Sequence, residues 1–126
     1  MAILKHRFTV ADFLPLVADA ALTGGRLVKP NAANGPTPRV VHTTAATEYA
    51  IGAVEEDAVL NQRLSVSTRG VQQLEAHGAI AFNTDVTPAA AGRVAQAIAP
   101  TTDRVYGRAL QAAAAQGDKI WVLKYQ

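Results

Sequence analysis

The chain has 126 residues, 49% hydrophobic and 17% charged, with no cysteine, a net charge of +2 and mean hydropathy near zero. That size and apolar fraction fit one folded domain and exclude a disordered chain, while the missing cysteines exclude disulfides, thiolate catalysis and cysteine-held zinc. Charge is spread as +3 over residues 1–42, −3 over 43–76 and +2 over 77–126; this leaves no basic cluster for phosphates, and seven aromatics are few for base stacking, so no nucleic-acid partner is expected.

Residues 1–23 come first. No run of residues is long and apolar enough for a membrane-spanning helix, and Asp12 and Pro15 interrupt what a secretory leader would need after Lys5 and Arg7. Pro15 also argues against a continuous helix, because it lacks a donor and clashes with the preceding turn. Ile3, Lys5, Arg7 and Thr9 alternate with Leu4, His6, Phe8 and Val10, the pattern of an edge strand or of an arm ordered against a partner. The expected organisation is therefore an arm at 1–23 and a single β-rich domain at 24–126.

Gly24-Gly25 is a turn signal, Arg26–Lys29 a short strand ended by Pro30, and residues 30–38, with three prolines, two asparagines and a glycine, a loop. Arg39–His42 reads as the next strand. Tyr49–Val54 follows as a strand containing a glycine, then Glu55-Glu56-Asp57 as a charged loop. Arg63–Thr68 alternates, with Leu64 and Val66 on one side and Arg63, Ser65 and Ser67 on the solvent side. Val71–Ala76 and Ala79–Phe82 are expected strands separated by a turn at His77-Gly78. Asp85–Pro88 with Ala89–Gly92 reads as a link, Arg93–Ile98 and Arg104–Leu110 as strands. Ala109–Gln116 has the best helix propensity in the chain but is too short to hold a helix alone, so it reads as a strand end and a wide connection. Gly117-Asp118 turns the chain into a last strand, Lys119–Tyr125. Short strands at this spacing predict an all-β fold, a small antiparallel β-barrel or β-sandwich with an extended N-terminal arm and long loops. Small side chains bury little area each, so the alanine-rich core is thin, and further burial is expected from a partner or from copies of the chain.

Catalytic chemistry is not legible. Ser65 and Ser67 sit in no nucleophile elbow, and a hydrolase reading would have to pair one of them with His77. His6, His42 and His77 are dispersed without metal-ligand spacing, and the acidic run at 55–57 lacks calcium-loop spacing. Gly24-Gly25 precedes a strand rather than opening a helix, so it is no phosphate cradle. Trp121 and Tyr125 share one face of the last strand; as a sugar platform they would make a carbohydrate-binding module, but core positions are the simpler expectation. No cofactor, no metal and no enzymatic activity are expected.

The order of these signals resembles that of the small capsid decoration, or cement, proteins of tailed bacteriophages. The matching parts are the Gly-Gly turn into Arg26–Lys29, Tyr49–Val54 before an acidic loop, Leu64–Val71 broken by a glycine, Gly78-Ala79-Ile80, and the closing run from Tyr106 through Gly117-Asp118 to Leu123. They cover about residues 22–125. The loop at 30–38 is longer and richer in proline than that pattern, and the N-terminal residues are more apolar. The resemblance implies a virion structural protein on the outer surface of the capsid, commonly a homotrimer, bridging subunits of the major capsid protein and stabilising the expanded head, with no membrane partner. It also implies an N-terminal arm that reaches the capsid by strand addition, with Ile3, Leu4, Phe8, Val10, Phe13, Leu14 and Leu16 as the contacting residues. The alternatives are another β-rich virion component, such as a fibre, head-completion or tail-tube protein, or a carbohydrate-binding surface module.

Overall fold

A computed structural model describes residues 13–31, 38–98 and 103–125, and of residues 13–15 the backbone alone. The described residues contain ten strands in two layers. β1 (Phe13–Ala18), β2 (Arg26–Pro30), β3 (Arg39–His42), β4 (Gly52–Val54) and β5 (Arg63–Ser67) close into a barrel in the order β1-β3-β2-β4-β5. β6 (Val71–Glu75), β7 (Asp85–Pro88), β8 (Val94–Gln96), β9 (Gly107–Ala109) and β10 (Lys119–Lys124) form a second sheet in the order β6-β10-β9-β7-β8. The all-β expectation holds, and the choice between barrel and sandwich resolves as a barrel with a sheet packed beside it. Among the described residues the strands pair antiparallel except β1 with β3, where Val17 and Ala18 run parallel to Arg39 and Val40; the isolated bridge between Ala76 and Val94 is parallel too.

The layers share a wall. β2 and β4 pair with each other, Leu27 opposite Ala53, and successive residues of a strand point to opposite faces. Val28 and Val54 therefore fill the barrel with Leu16, Ala18, Leu22, Val40, Ala58 and Val66. Leu27 and Ala53 face the other way and join Leu74, Ile80, Val86, Val94, Tyr106, Ile120 and Val122 in the second core. Burial on both faces makes these strands read as continuous apolar runs rather than alternating ones. A bridge from Ala76 to Val94 also draws the two edges of the second sheet toward each other.

Four sequence expectations change. The boundary at residue 23 is not a domain boundary: β1 is the partner of β5 from Phe13↔Ser67 to Val17↔Arg63, and Leu22 bridges to Ala58, so the barrel already includes residues 13–22. Asp85–Pro88, expected as a link, is strand β7, held between β8 and β9. Ala79–Phe82, expected as a strand, contributes one bridge, Ile80 to Ala113. Tyr49–Val54 shortens to β4, although the Ile51 amide still donates to the Val28 carbonyl at 3.0 Å. The alanine-rich stretch after β9 is an irregular connection, as expected: Asp118 accepts from the amides of Ala114 and Ala115 at 2.8 and 3.2 Å and competes with helical pairing there.

A buried polar chain ties the layers together. The Tyr106 hydroxyl donates to Gln72 Oε1, and Gln72 Nε2 donates to the Ser67 carbonyl at 2.8 Å and to Ser67 Oγ at 3.1 Å. Burial pushes the Tyr106 hydroxyl well above the ordinary tyrosine range, against the smaller opposing effect of the Gln72 bond, so it stays a neutral donor. Tyr106→Phe leaves Gln72 Oε1 buried without its donor. It is expected to cost about 1–3 kcal/mol of unfolding free energy by urea titration, and a loss under about 0.5 kcal/mol would show the bond to be dispensable.

Candidate interaction surface

The chemistry-bearing residues of the sequence do not converge. Ser65 is exposed on β5, whereas Ser67, expected on the solvent side, is buried and engaged by Gln72; His77 is exposed in the turn after β6. His42 is half-buried and structural. Its Nε2 accepts from the Thr23 amide at 2.9 Å, so Nδ1 carries the proton and donates to the Leu27 carbonyl at 2.9 Å. Burial, with Arg26 nearby, holds its pKa below the ordinary histidine value although the Leu27 bond opposes this. Among the described residues no three His, Cys, Asp or Glu side chains are grouped to hold a metal ion. Of the acidic run, Asp57 accepts from the Gly24 amide at 2.8 Å, and Glu55 and Glu56 are exposed.

The expected arm residues separate into two sets. Ile3, Leu4, Phe8 and Val10 lie outside the described residues. Phe13 and Leu14 belong to a barrel strand, their backbones opposite Ser67 and Val66. Leu16 is 6% exposed in the barrel core and is not available as a capsid contact, because the β1–β5 pairing turns its side chain inward.

The structure instead brings together an apolar face around Trp121, for which the sequence reading had favoured a core position. In β10, Ile120 and Val122 point inward, so Trp121 and Leu123 point out, the reverse of the expectation for Trp121. Trp121 stands opposite Gln73 and Leu123 opposite Val71 on β6, while the Leu110 amide donates to the Trp121 carbonyl at 2.8 Å just beyond β9. Trp121, Leu123, Val71 and Leu110 are 44%, 41%, 53% and 40% exposed. Scattered apolar side chains need no explanation, but adjacent ones on one sheet face, including a tryptophan, make this face the candidate interaction surface. The alternation of β10 was visible in the sequence; which of its faces meets the second core was not. Tyr125, beyond the strand, is tied down instead: its hydroxyl donates to Asp85 at 2.7 Å and accepts from Arg108 Nε at 2.9 Å.

Beside this face, at the seam between barrel and sheet, lies a groove of about 390 Å³ lined by Gly24, Gly25, Glu55, Asp57, Ser67, Val71, Gln73, Lys119 and Trp121. The Gly24-Gly25 turn shapes it. Gly25 has φ +79°, and a Cβ on Gly24 would come within 2.7 Å of the Glu55 carbonyl oxygen, so only glycine fits this close approach. One flank of the groove is the edge of β6.

This architecture, a closed five-stranded barrel with a five-stranded sheet beside it and an apolar sheet face left exposed, defines a small all-β module. In the solved structures it has a counterpart. The fold is similar to the N base of head fibre gp8.5 of bacteriophage phi29, with a TM-score of 0.75 over 90% of this chain and 92% of that one, at 16% sequence identity. At that identity the likeness shows a shared fold. No family model and no curated protein matches the sequence.

Proposed function

We propose that this chain is a structural component of a tailed-phage virion, carried on the outer surface of the head and held there by protein contacts, without turnover of any substrate. The observation that carries this reading is the fold shared along nine-tenths of the chain with the base of a phage head fibre. The order of glycine turns and short strands that resembles capsid decoration proteins supports it independently. The partners are the major capsid protein and, as a homotrimer, other copies of the chain, with the segment ahead of Phe13 reaching the lattice. Repetition of such contacts around a trimer turns modest individual affinities into firm attachment. The shared architecture with a fibre base also favours a second reading, in which the domain is the foot of a head fibre rather than a cement between capsomers.

A cryo-EM map of the virion tests this. Density for the barrel and sheet on the outside of the head is expected. Density restricted to the tail, or none in a mature particle, overturns the proposal. The sheet face has its own test in Trp121→Ala combined with Leu123→Ser. Both side chains keep more than half of their surface covered, so a stability loss of about 1–3 kcal/mol is expected, and urea unfolding checks that the variant is folded where binding is compared. Binding to emptied heads, followed by sedimentation, is expected to weaken by about 2 kcal/mol or more, roughly thirtyfold. Unchanged binding would remove this face from the interface.

A further inference from the structure

A cavity of about 160 Å³ opens where the end of β10 meets residues 48–50 and 104–106, with Glu48, Tyr49, Arg104, Tyr106, Lys124 and Tyr125 in its lining. Two cations stand at it, each laid on a tyrosine ring. Arg104 Cζ is 4.0 Å from the centroid of the Tyr49 ring, its Nη1 donates to the Tyr49 hydroxyl, and the Arg104 amide donates to the Ala46 carbonyl at 2.7 Å. Lys124 follows Ile120 and Val122 on the covered face of β10. Its Nζ lies 5.3 Å from the centroid of the Tyr106 ring and donates to the Tyr125 carbonyl at 3.1 Å. A ring face attracts a cation without neutralising it.

The chain does not answer these two charges. Arg26, Lys29, Arg39, Arg93 and Arg108 each pair with a carboxylate at 2.5 to 3.1 Å, whereas among the described residues Arg104 and Lys124 have no such partner. Glu48 lines the cavity, but its oxygens are engaged elsewhere. Oε2 accepts from Lys29 at 2.5 Å and from Thr44 Oγ1 at 2.9 Å, and Oε1 from the amides of Thr44 and Ala45 at 2.6 and 3.2 Å. Burial holds the Lys124 pKa below the ordinary lysine value, as it does for an ammonium that has lost water without gaining a counter-ion. Arg104 is held in place by Tyr49 and presents the rest of its planar guanidinium, a fork that fits a carboxylate through two parallel hydrogen bonds.

We propose that Arg104 and Lys124 form a receptor for the carboxylate of an aspartate or glutamate side chain on a protein partner. The methylene stem of such a side chain would lie against Ala50, Pro88 and Val105, which complete the lining. A sugar acid carries the same group but meets a poorer site. The cations take up a face of Tyr49 and of Tyr106, the Tyr125 hydroxyl is held between Asp85 and Arg108, and the Glu48 oxygens are engaged, which leaves ring hydroxyls few partners. One carboxylate contact is weak in water, so it acts as an anchor within a wider contact, adding orientation and discrimination. Lys124 is on the side of β10 opposite Trp121 and Leu123, so this site is distinct from the apolar face. The inference stands without the virion reading.

The test titrates the purified, 15N-enriched full chain with N-acetyl-glutamate amide, with its glutamine counterpart and with glucuronate. Saturable shifts of the Val105, Tyr106, Lys124 and Tyr125 amides are expected with the glutamate compound, with a Kd on the order of millimolar, and binding at least about tenfold weaker with the glutamine compound. Arg104→Gln and Lys124→Gln are each expected to weaken binding by about fivefold or more. Lys119→Gln removes the same charge from the other end of β10 and is expected to leave it unchanged. Arg104 is exposed, so its variant keeps the fold and carries the test even if Lys124→Gln does not. No saturable shift, equal binding of the glutamine compound, or an equal loss in Lys119→Gln overturns the proposal. Tighter binding of glucuronate than of the glutamate compound overturns the assignment to a protein partner.

Discussion

Replacing Leu27 with alanine is expected to lower the unfolding free energy by about 2–5 kcal/mol, the range for a large aliphatic side chain removed from a packed core. Leu27 is fully buried, and although it belongs to a barrel strand it packs in the core of the second sheet. Its neighbour Val28 fills the barrel. A cavity at Leu27 therefore weakens the wall on which both layers rest, and the two should still unfold together. The measurement is urea unfolding followed by Trp121 fluorescence and by far-ultraviolet circular dichroism. Coincident curves shifted to lower urea are expected. A loss below about 1 kcal/mol, or curves that separate, would show that the wall is not shared in the energetic sense. Against a total stability of about 5–15 kcal/mol for a domain of this kind, the upper end of the range would leave little folded protein.

Glu75→Ala is expected to cost about 2–3 kcal/mol and to change the response to acid. Glu75, at the end of β6, accepts from Arg26 at 3.1 Å and from Arg93 at 2.6 Å, so one carboxylate joins the shared wall to the connection before β8. Removing it strands two guanidiniums. A fully buried pair would cost about 3–5 kcal/mol, but Arg26 and Arg93 keep 17% and 19% of their side-chain surface and can recover some hydration. Burial by itself would raise the pKa of Glu75. The hydrogen bond from Arg93 and the charges of Arg26 and Arg93 outweigh it, so the carboxyl lies below the ordinary glutamate value. A carboxyl depressed in the folded state contributes stability that is complete above the ordinary glutamate range and is lost as the pH falls through its folded value.

Glu48 behaves in the same sense. Lys29 and the turn at Thr44 and Ala45 hold it at about 2, against the rise that burial would give, with Glu48 Oε1 accepting from the Thr44 amide at 2.6 Å. The melting temperature should thus fall steadily between about pH 5 and pH 2, and Glu75→Gln should flatten the upper part of that fall. An acid profile identical to that of the unchanged protein would show Glu75 to be thermodynamically silent.

How much of this could be read beforehand differs from element to element. Arg26–Lys29, Arg39–His42, Arg63–Thr68 and Lys119–Tyr125 are bounded by glycine, proline or charged turns, and the structure places strands there with ends shifted by at most a residue or two. Those signals are local: a proline cannot donate to a ladder, and Gly25 and Gly117 take positive φ angles that other residues resist. Asp85–Pro88 was missed because its proline and acidic residue carry the marks of a turn. It is a strand only because β8 and β9 flank it. Gln72 and Ser67 likewise carry no sign of burial, since a polar side chain is satisfied inside only when its partners, here Tyr106 and the Ser67 main chain, arrive from other strands.

The exposed apolar face shows the same division. That Trp121 and Leu123 share a face opposite Ile120 and Val122 follows from the two-residue period of a strand, and the sequence alone determines it. It also determines an all-β chain of short strands, the turns between them, and the absence of cysteine chemistry. Which face of β10 is covered, that Leu16 lies inside rather than on an arm, and that β6 flanks a groove lined by Glu55 and Asp57 were decided only in three dimensions. Alternation divides a strand into two faces without ranking them; the ranking comes from what packs against each, and that is a property of residues distant in the chain.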